Sequence, residues 1–184
     1  MRIIAGERKG HPLRAPRGSG TRPTLSRARE SVFSILGAQV LGATAADLFA
    51  GAGSLGLEAL SRGAHHCIFV ERNRAALDTL HANIRKLGYE SKTVVCANDV
   101  LRWLRQPGIP PYSLTLILAD PPYQTGLAEK TMSALAHADL LQPDGMLVMQ
   151  CAARETIPEE CAPLGLYRTE LYGETAVHFF CVMP

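Results

Sequence analysis

The tetrapeptide Asp120-Pro-Pro-Tyr123 carries the most specific chemistry in this sequence of 184 residues. An exocyclic amine on a nucleobase is a poor nucleophile, because its lone pair is delocalised into the ring. The Asp120 carboxylate and the Pro121 carbonyl can accept both N–H bonds of such an amine and direct its lone pair at an electrophile. Pro121 and Pro122 lack backbone donors and stiffen the turn, and Tyr123 can stack on a base. The alternative is a proline-stiffened turn with a tyrosine in the core.

A glycine-rich turn, Asp47-Leu-Phe-Ala-Gly-Ala-Gly-Ser-Leu-Gly56, precedes the tetrapeptide in the chain. Gly51, Gly53 and Gly56 have the spacing G-x-G-x-x-G, which alone is a weak signal because dinucleotide-binding enzymes show it too. Glu71 follows Gly51 by 20 residues, at the end of the next predicted strand, where a carboxylate can accept both ribose hydroxyls. The turn and the carboxylate together predict a site for a ligand that contains a ribose.

The charge of Asp47 narrows the choice of ligand. A carboxylate just before the turn would repel a pyrophosphate but suits a ligand with an ammonium and a sulfonium, such as S-adenosylmethionine; a structural cap on the turn is a compatible alternative. Asn98 and Asp99 end the third predicted strand. There a carboxylate can accept a hydrogen bond from an adenine amine, and Val100 offers its backbone N–H. Capping of the next helix by Asn98 or Asp99 is the alternative.

The elements that position these residues alternate between strand and helix from residue 44 onward, which is typical of βαβ units and a parallel sheet. Strands are predicted near 44–49, 66–71, 92–96, 114–119 and 145–150, and helices near 54–62, 73–87, 98–105 and 125–139. The segments 166–172 and 175–183 flank Gly173-Glu174 and predict a closing antiparallel hairpin. The tetrapeptide then follows the fourth strand, where sheets of this class bind ligands.

Positive charge is concentrated at the N-terminus. Residues 1–30 hold eight Arg or Lys and two Glu, whereas the remaining residues hold 11 basic and 15 acidic side chains. Frequent glycines and prolines predict an extended arm whose cations lie in water or on phosphates, with a solvated positive face as the alternative. Residues 24–37 predict a helix with Ala28, Val32, Phe33 and Leu36 on its apolar face.

Composition limits the class of protein. With 47% apolar and 20% charged residues, the chain can bury one sizeable core, which excludes a disordered tail, a collagen-like fibre and a disulfide miniprotein. Neither a membrane span nor a signal peptide is visible, so a cytoplasmic location is expected. The five cysteines are widely separated and lack a Cys-x-x-Cys pair, which argues against a zinc site and a disulfide framework. No metal is expected.

Motifs along most of the chain carry a family resemblance. Besides the tetrapeptide they are Met1-Arg-Ile-Ile-Ala-Gly6, Lys9-Gly10, Thr21-Arg-Pro-Thr24, Arg29-Glu30, Asp47-Leu-Phe-Ala-Gly51, Leu55-Gly-Leu-Glu-Ala-Leu-Ser-Arg-Gly-Ala64 and Phe69-Val-Glu71. This set resembles the RsmD family of class I amino-methyltransferases, which methylates the N2 amine of guanine 966 in bacterial 16S ribosomal RNA. The resemblance is densest through residue 123.

The resemblance implies a Rossmann-like α/β sheet of seven strands, the last hairpin antiparallel, with helices on both faces and S-adenosylmethionine as methyl donor. It implies a basic RNA-facing arm and helix over residues 1–37 and a methyltransferase domain over residues 38–184. The expected donor-binding residues are Asp47, Phe49, Gly51, Gly53, Glu71, Asn98, Asp99 and Val100. The expected acceptor-binding residues are Asp120, Pro121, Pro122 and Tyr123. The expected RNA-binding residues are Lys9, Arg14, Arg17, Arg22 and Arg27.

The prediction from the sequence is that the protein is a monomeric enzyme that acts on 16S ribosomal RNA or an assembling small subunit. S-adenosylhomocysteine is the expected second product. A DNA adenine-N6 or cytosine-N4 methyltransferase needs the same tetrapeptide, although 184 residues leave little room for a base-reading domain. A non-catalytic RNA-binding assembly factor is the third alternative. Many amino-methyltransferases have asparagine in place of Asp120, so this residue either orients the amine or also removes its proton.

Overall fold

The computed structural model describes residues 1–15 and 23–183. Within them, the helices are α1 (Pro23–Leu36), α2 (Ser54–Ser61), α3 (Arg74–Leu87), α4 (Val100–Arg105) and α5 (Leu127–Ala136). The strands are β1 (Thr44–Leu48), β2 (His66–Glu71), β3 (Thr93–Ala97), β4 (Leu114–Ala119), β5 (Leu141–Ala152), β6 (Glu160–Cys161), β7 (Leu164–Tyr172) and β8 (Thr175–Val182). The predicted α/β alternation is confirmed.

The strands form one mixed sheet in the order β3-β2-β1-β4-β5-β8-β7-β6. Strands β1 to β5 are parallel to one another, and β8 lies between β5 and β7 and is antiparallel to both. The chain order reverses between β1 and β4, which is the position where open α/β sheets form a ligand crevice. The glycine turn after β1 and the tetrapeptide after β4 therefore start from adjacent strands.

The strand count corrects one expectation. The resemblance implies seven strands, whereas the described residues form eight. The additional strand is β6, two residues at the edge of the sheet that pair antiparallel with Gly165 and Leu164 of β7. Two residues are too few to show the alternation of apolar and polar side chains by which a strand is recognised in a sequence.

Two apolar clusters cover the two faces of the sheet, because successive strand residues point to opposite sides. On β2, Phe69 packs with the cluster that holds α1, α2 and α3, whereas Val70 packs with the cluster that holds α4 and α5. The four apolar residues predicted for the first helix are all buried. Helices thus lie on both faces, as the fold class predicts.

The N-terminal segment 1–15 lies on the body of the protein. Glu58 of α2 is fully buried, and its carboxylate accepts the backbone N–H groups of Ile4 (2.8 Å) and Ala5 (3.0 Å). Further along, Asn83 of α3 accepts the N–H of Arg14 (2.8 Å) and donates to its carbonyl (3.1 Å). This part of the predicted arm is therefore fixed by hydrogen bonds to α2 and α3. The division at residue 37 stays a prediction.

Candidate active site

A cavity of about 570 Å³ opens at the carboxyl ends of the parallel strands. Its volume is within the range of small-molecule sites. The lining residues come from the ends of four strands, from the first residues of α4 and α5, and from the turn between β7 and β8: Phe49, Val70, Glu71, Arg72, Asn98, Asp99, Val100, Asp120, Pro121, Pro122, Tyr123, Leu127, Gly173, Glu174 and Thr175. The glycine turn and the tetrapeptide, 64 or more positions apart in sequence, border one space because β1 pairs with β4.

Residues 120–125, called the acceptor loop below, follow β4 directly. Within the described residues, no group donates a hydrogen bond to the Asp120 carboxylate or to the Pro121 carbonyl. The loop is held from its other side, because the Thr125 hydroxyl donates to the Pro122 carbonyl at 2.6 Å. Asp120 and Pro121 both line the cavity, and neither the Asp120 carboxylate nor the Pro121 carbonyl has a hydrogen-bond donor among the described residues.

Two side chains of the acceptor loop, Asp120 and Tyr123, have shifted pKa values. Desolvation raises the pKa of Asp120 to about 6, because a low-dielectric surrounding disfavours the charged form. Burial, and then the charge of Asp120, raise the pKa of Tyr123 to about 12, so its hydroxyl stays protonated at neutral pH. That hydroxyl lies 3.3 Å from the Thr175 Oγ1. The ring of Tyr123 is consequently held at the cavity wall as a neutral aromatic surface.

Glu71 joins the end of β2 to the glycine turn. Its Oε2 accepts the Gly51 N–H at 2.8 Å, while its Oε1 accepts the N–H groups of Arg72 (2.8 Å) and Asn73 (2.7 Å). Phe49, which also lines the cavity, has a φ of 63°, a conformation that non-glycine residues rarely adopt. Such backbone strain is characteristic of ligand sites.

The other predicted residues of the glycine turn contribute to its structure and do not line the cavity. Asp47 is 1% exposed and accepts the Gly56 N–H at 2.8 Å, so the structure gives it the capping role. Desolvation raises its pKa to about 7. Gly53 has a φ of 85°, in the left-handed region that side chains rarely adopt, which explains glycine at this position. Asp47, Gly51 and Gly53 are not among the lining residues, and their contact with a donor stays a prediction.

The end of the cavity beside β3 combines a helix cap with an ion pair. Asp99 caps α4 by accepting the Arg102 N–H at 3.2 Å, and its other oxygen pairs with Arg72 at 3.0 Å. Asn98 accepts the Asp99 N–H at 2.9 Å. The Val100 N–H, at the first position of the helix, has no acceptor in the described part of the chain. Asp99 thus has the capping role, and the N–H of Val100 is free for a ligand.

Three of the predicted RNA-binding cations, Lys9, Arg14 and Arg27, are described by the structure and are not among the residues that line the cavity. Lys9, Arg14 and Arg27 are exposed. Arg17 and Arg22 lie outside the described residues. The backbone of Arg14 is near the glycine turn, because Asn83 also donates to the Ala52 carbonyl at 2.9 Å. The N-terminal segment therefore approaches the glycine turn.

Sequence reasoning did not identify the residues that the β7–β8 turn contributes. Gly173, Glu174 and Thr175 line the cavity although they lie about 50 residues after the acceptor loop. The β7–β8 turn lies at the cavity because β8 pairs with β5, with Thr175 opposite Ala152, the last residue of β5. Only the strand order reveals this. Arg72, which directly follows Glu71, also lines the cavity, although it is not among the residues predicted to bind a ligand.

Two kinds of feature are absent from residues 1–15 and 23–183. No helix there has the length and hydropathy to cross a bilayer. No group of three or more His, Cys, Asp or Glu in that part of the chain is arranged to hold a metal ion.

Comparisons with known proteins identify relatives over nearly the whole chain. Residues 1–181 match a family model described as "Conserved hypothetical protein 95". The chain is 36% identical over 180 residues to "Putative rRNA methyltransferase YlbH" of Bacillus subtilis, covering 98% of both proteins. It is 33% identical over 180 residues to "Ribosomal RNA small subunit methyltransferase D" of Escherichia coli K12, covering 98% of this chain and 89% of that protein.

A solved structure is similar to this chain in both fold and sequence. "Putative methyltransferase yhhF from Escherichia coli" superposes with a TM-score of 0.86 at 32% identity, covering 100% of this chain and 98% of that one. The similarity therefore includes the N-terminal segment and the C-terminal hairpin, in addition to the central sheet.

Proposed function

This chain belongs to the RsmD family, and from that premise we propose that it transfers a methyl group from S-adenosylmethionine to the exocyclic N2 amine of a guanine in 16S ribosomal RNA. The observation that carries the proposal is that Asp120 and Pro121 line the cavity while no described residue donates a hydrogen bond to the Asp120 carboxylate or to the Pro121 carbonyl. An exocyclic amine has two N–H donors, so this pair matches it in number and leaves the lone pair free.

The donor end of the cavity fits a sulfonium nucleoside. Glu71 presents a carboxylate to a ribose, and the Val100 N–H and the Asp99 carboxylate face the region where an adenine would lie. S-adenosylmethionine supplies the electrophilic methyl group when bound. The residues of this chain bind and orient the two reactants, and Asp120 accepts one amine N–H and can receive the proton that is lost after transfer.

Guanine is favoured as the base because of the β7–β8 turn. The Glu174 side chain is exposed at the cavity, and none of the described residues forms a hydrogen bond with it. Guanine presents an N1–H beside its N2 amine, so a third acceptor next to the tetrapeptide suits its edge. Adenine has an acceptor at N1 instead, which a carboxylate would repel. A base inside a helix must swing out to reach this cavity.

We further propose that the protein acts as a cytoplasmic monomer on the RNA or on an assembling small subunit, with residues 1–37 facing the RNA. The exposed Lys9, Arg14 and Arg27 support this arrangement because phosphate contacts supply most sequence-independent affinity for RNA.

The test is methyl transfer from radiolabelled S-adenosylmethionine to three substrates: naked 16S RNA, small subunits from cells that lack the protein, and duplex DNA. We expect label in the RNA or the subunits, and N2-methylguanosine after digestion. An RNA with inosine at the target position lacks the amine and should accept none. Label in DNA would point to a DNA methyltransferase, and label in no substrate, with donor binding retained, to a non-catalytic assembly factor.

A further inference from the structure

Glu155 connects two segments that are distant in sequence. It lies three residues after the end of β5, and its Oε2 accepts the Ala152 N–H at 2.9 Å. Its Oε1 accepts the N–H of Gln124, in the acceptor loop, also at 2.9 Å. One carboxylate thus ties the loop that follows β4 to the end of β5.

The hydrogen bond to Glu155 is made by Gln124, the residue of the acceptor loop with a positive φ. Gln124 has a φ of 60°, in the left-handed region that favours glycine. A non-glycine residue keeps this conformation only where surrounding contacts hold it. The Glu155 carboxylate provides that contact to the Gln124 N–H, directly after Tyr123.

A second connection holds the same loop from the opposite strand. The Tyr123 hydroxyl meets the Thr175 Oγ1 at 3.3 Å, and the Ala153 N–H donates to the Glu174 carbonyl at 2.8 Å. The acceptor loop, the end of β5 and the β7–β8 turn therefore form one bonded unit. Glu155 belongs to this unit but is not among the residues that line the cavity.

We propose that Glu155 is a positioning residue for the acceptor base: its carboxylate holds the acceptor loop in the conformation that presents Asp120 and Tyr123 to the cavity. The inference rests on the proposed function, since it assigns the loop to the acceptor base. Because Glu155 does not reach the cavity, it acts on the reaction only through the loop. Misplacement of reacting groups by about 1 Å can lower a rate about 100-fold.

The experiment compares Glu155→Ala and Glu155→Gln with the control Glu159→Ala, which removes an exposed carboxylate four residues away that no described residue bonds. We expect kcat for methyl transfer to fall at least tenfold in Glu155→Ala and less in Glu155→Gln, because the amide keeps one acceptor oxygen. The Kd for S-adenosylhomocysteine should stay within twofold of the wild-type value in all three variants. The control should behave as wild type.

Hydrogen exchange provides a readout that does not depend on activity. The Gln124 amide should exchange at least tenfold faster in Glu155→Ala than in the wild-type protein, while the amides of β4 keep their protection. An unchanged exchange rate, or an unchanged kcat, would overturn the positioning role. A parallel loss of affinity for S-adenosylhomocysteine would overturn it too, because it would indicate general disruption. A wild-type protein that methylates no substrate would contradict the proposed function, and the exchange rate alone would then decide whether Glu155 holds the loop.

Discussion

The Glu71 carboxylate, at the end of β2, accepts the backbone N–H of Gly51 at 2.8 Å. The same side chain accepts two further N–H groups at the start of α3, so one carboxylate fixes the glycine turn relative to the second strand. In this arrangement the residue that is expected to bind the ribose also shapes the turn beside it. The proposed ribose contact and the geometry of the turn therefore depend on the same carboxylate.

Glu71→Gln tests this double role. The amide keeps one acceptor oxygen but turns an NH₂ group towards a backbone N–H, which breaks at least one charge-assisted hydrogen bond. We expect the Kd for S-adenosylhomocysteine, measured by calorimetry, to rise about 10- to 100-fold. Glu90→Gln, at an exposed glutamate before β3, is the matched control and should bind normally. Normal affinity in Glu71→Gln would remove Glu71 from the donor site.

Asp120→Ala separates acceptor chemistry from donor binding. The variant lacks the carboxylate that is proposed to hold the amine, so we expect transfer to fall at least about 100-fold. Affinity for S-adenosylhomocysteine should stay near the wild-type value. A loss of donor affinity as large as the loss of rate would place Asp120 in the donor site instead.

The pH dependence of the reaction depends on the same residue. Burial raises the pKa of Asp120 to about 6, so the carboxyl group is protonated and a weaker acceptor below that pH. We expect kcat/KM to increase with pH through about 6 and then level off. In Asp120→Asn the side chain does not titrate, and this acidic limb should disappear from the pH profile. A limb that persists in the asparagine variant would belong to another group.

Asp47 should affect the pH dependence of stability. Its folded pKa of about 7 lies above its ordinary value of 3.8, so the folded state retains a proton that the unfolded state loses between these values. The contribution of Asp47 to the free energy of unfolding therefore decreases as pH rises from about 4 to about 7. Denaturant midpoints at pH 5 and pH 8 should differ less in Asp47→Asn than in the wild-type protein. Equal differences in both proteins would show that the buried carboxyl is not the cause.

The basic N-terminal segment should contribute salt-dependent affinity. Replacing Arg14, Arg17 and Arg22 together by Ala is expected to weaken RNA binding and to flatten the plot of log K against log salt, by about 0.7 per lost phosphate contact. A control that removes three cations elsewhere replaces Arg105, Lys130 and Arg168, which are exposed on α4, α5 and β7. If the plot of log K against log salt had the same slope in both triple variants, the basic N-terminal segment would be only a solvated positive face.

Much of the site follows from local sequence. The tetrapeptide, Glu71 and Asn98–Asp99 were placed at strand ends from apolar runs and their flanking residues, and the structure puts all of them around one cavity. The capping alternatives for Asp47 and Asp99 could not be separated from ligand binding by sequence. Both roles need the same carboxylate at the same position, and only its exposure and its partners distinguish them.

The sequence by itself determined the succession of strands and helices apart from β6, the residues at the strand ends and the motifs of the family, because these depend on neighbours a few positions apart. The tertiary structure decided which distant segments complete the cavity. Because β8 inserts beside β5, Thr175 lies next to Tyr123. The hydrogen bond between Glu155 and Gln124 of the acceptor loop joins residues that are 31 positions apart. The docking of residues 1–15 on Glu58 and Asn83 has the same origin. Such contacts depend on the three-dimensional packing of the whole sheet, which no local pattern encodes.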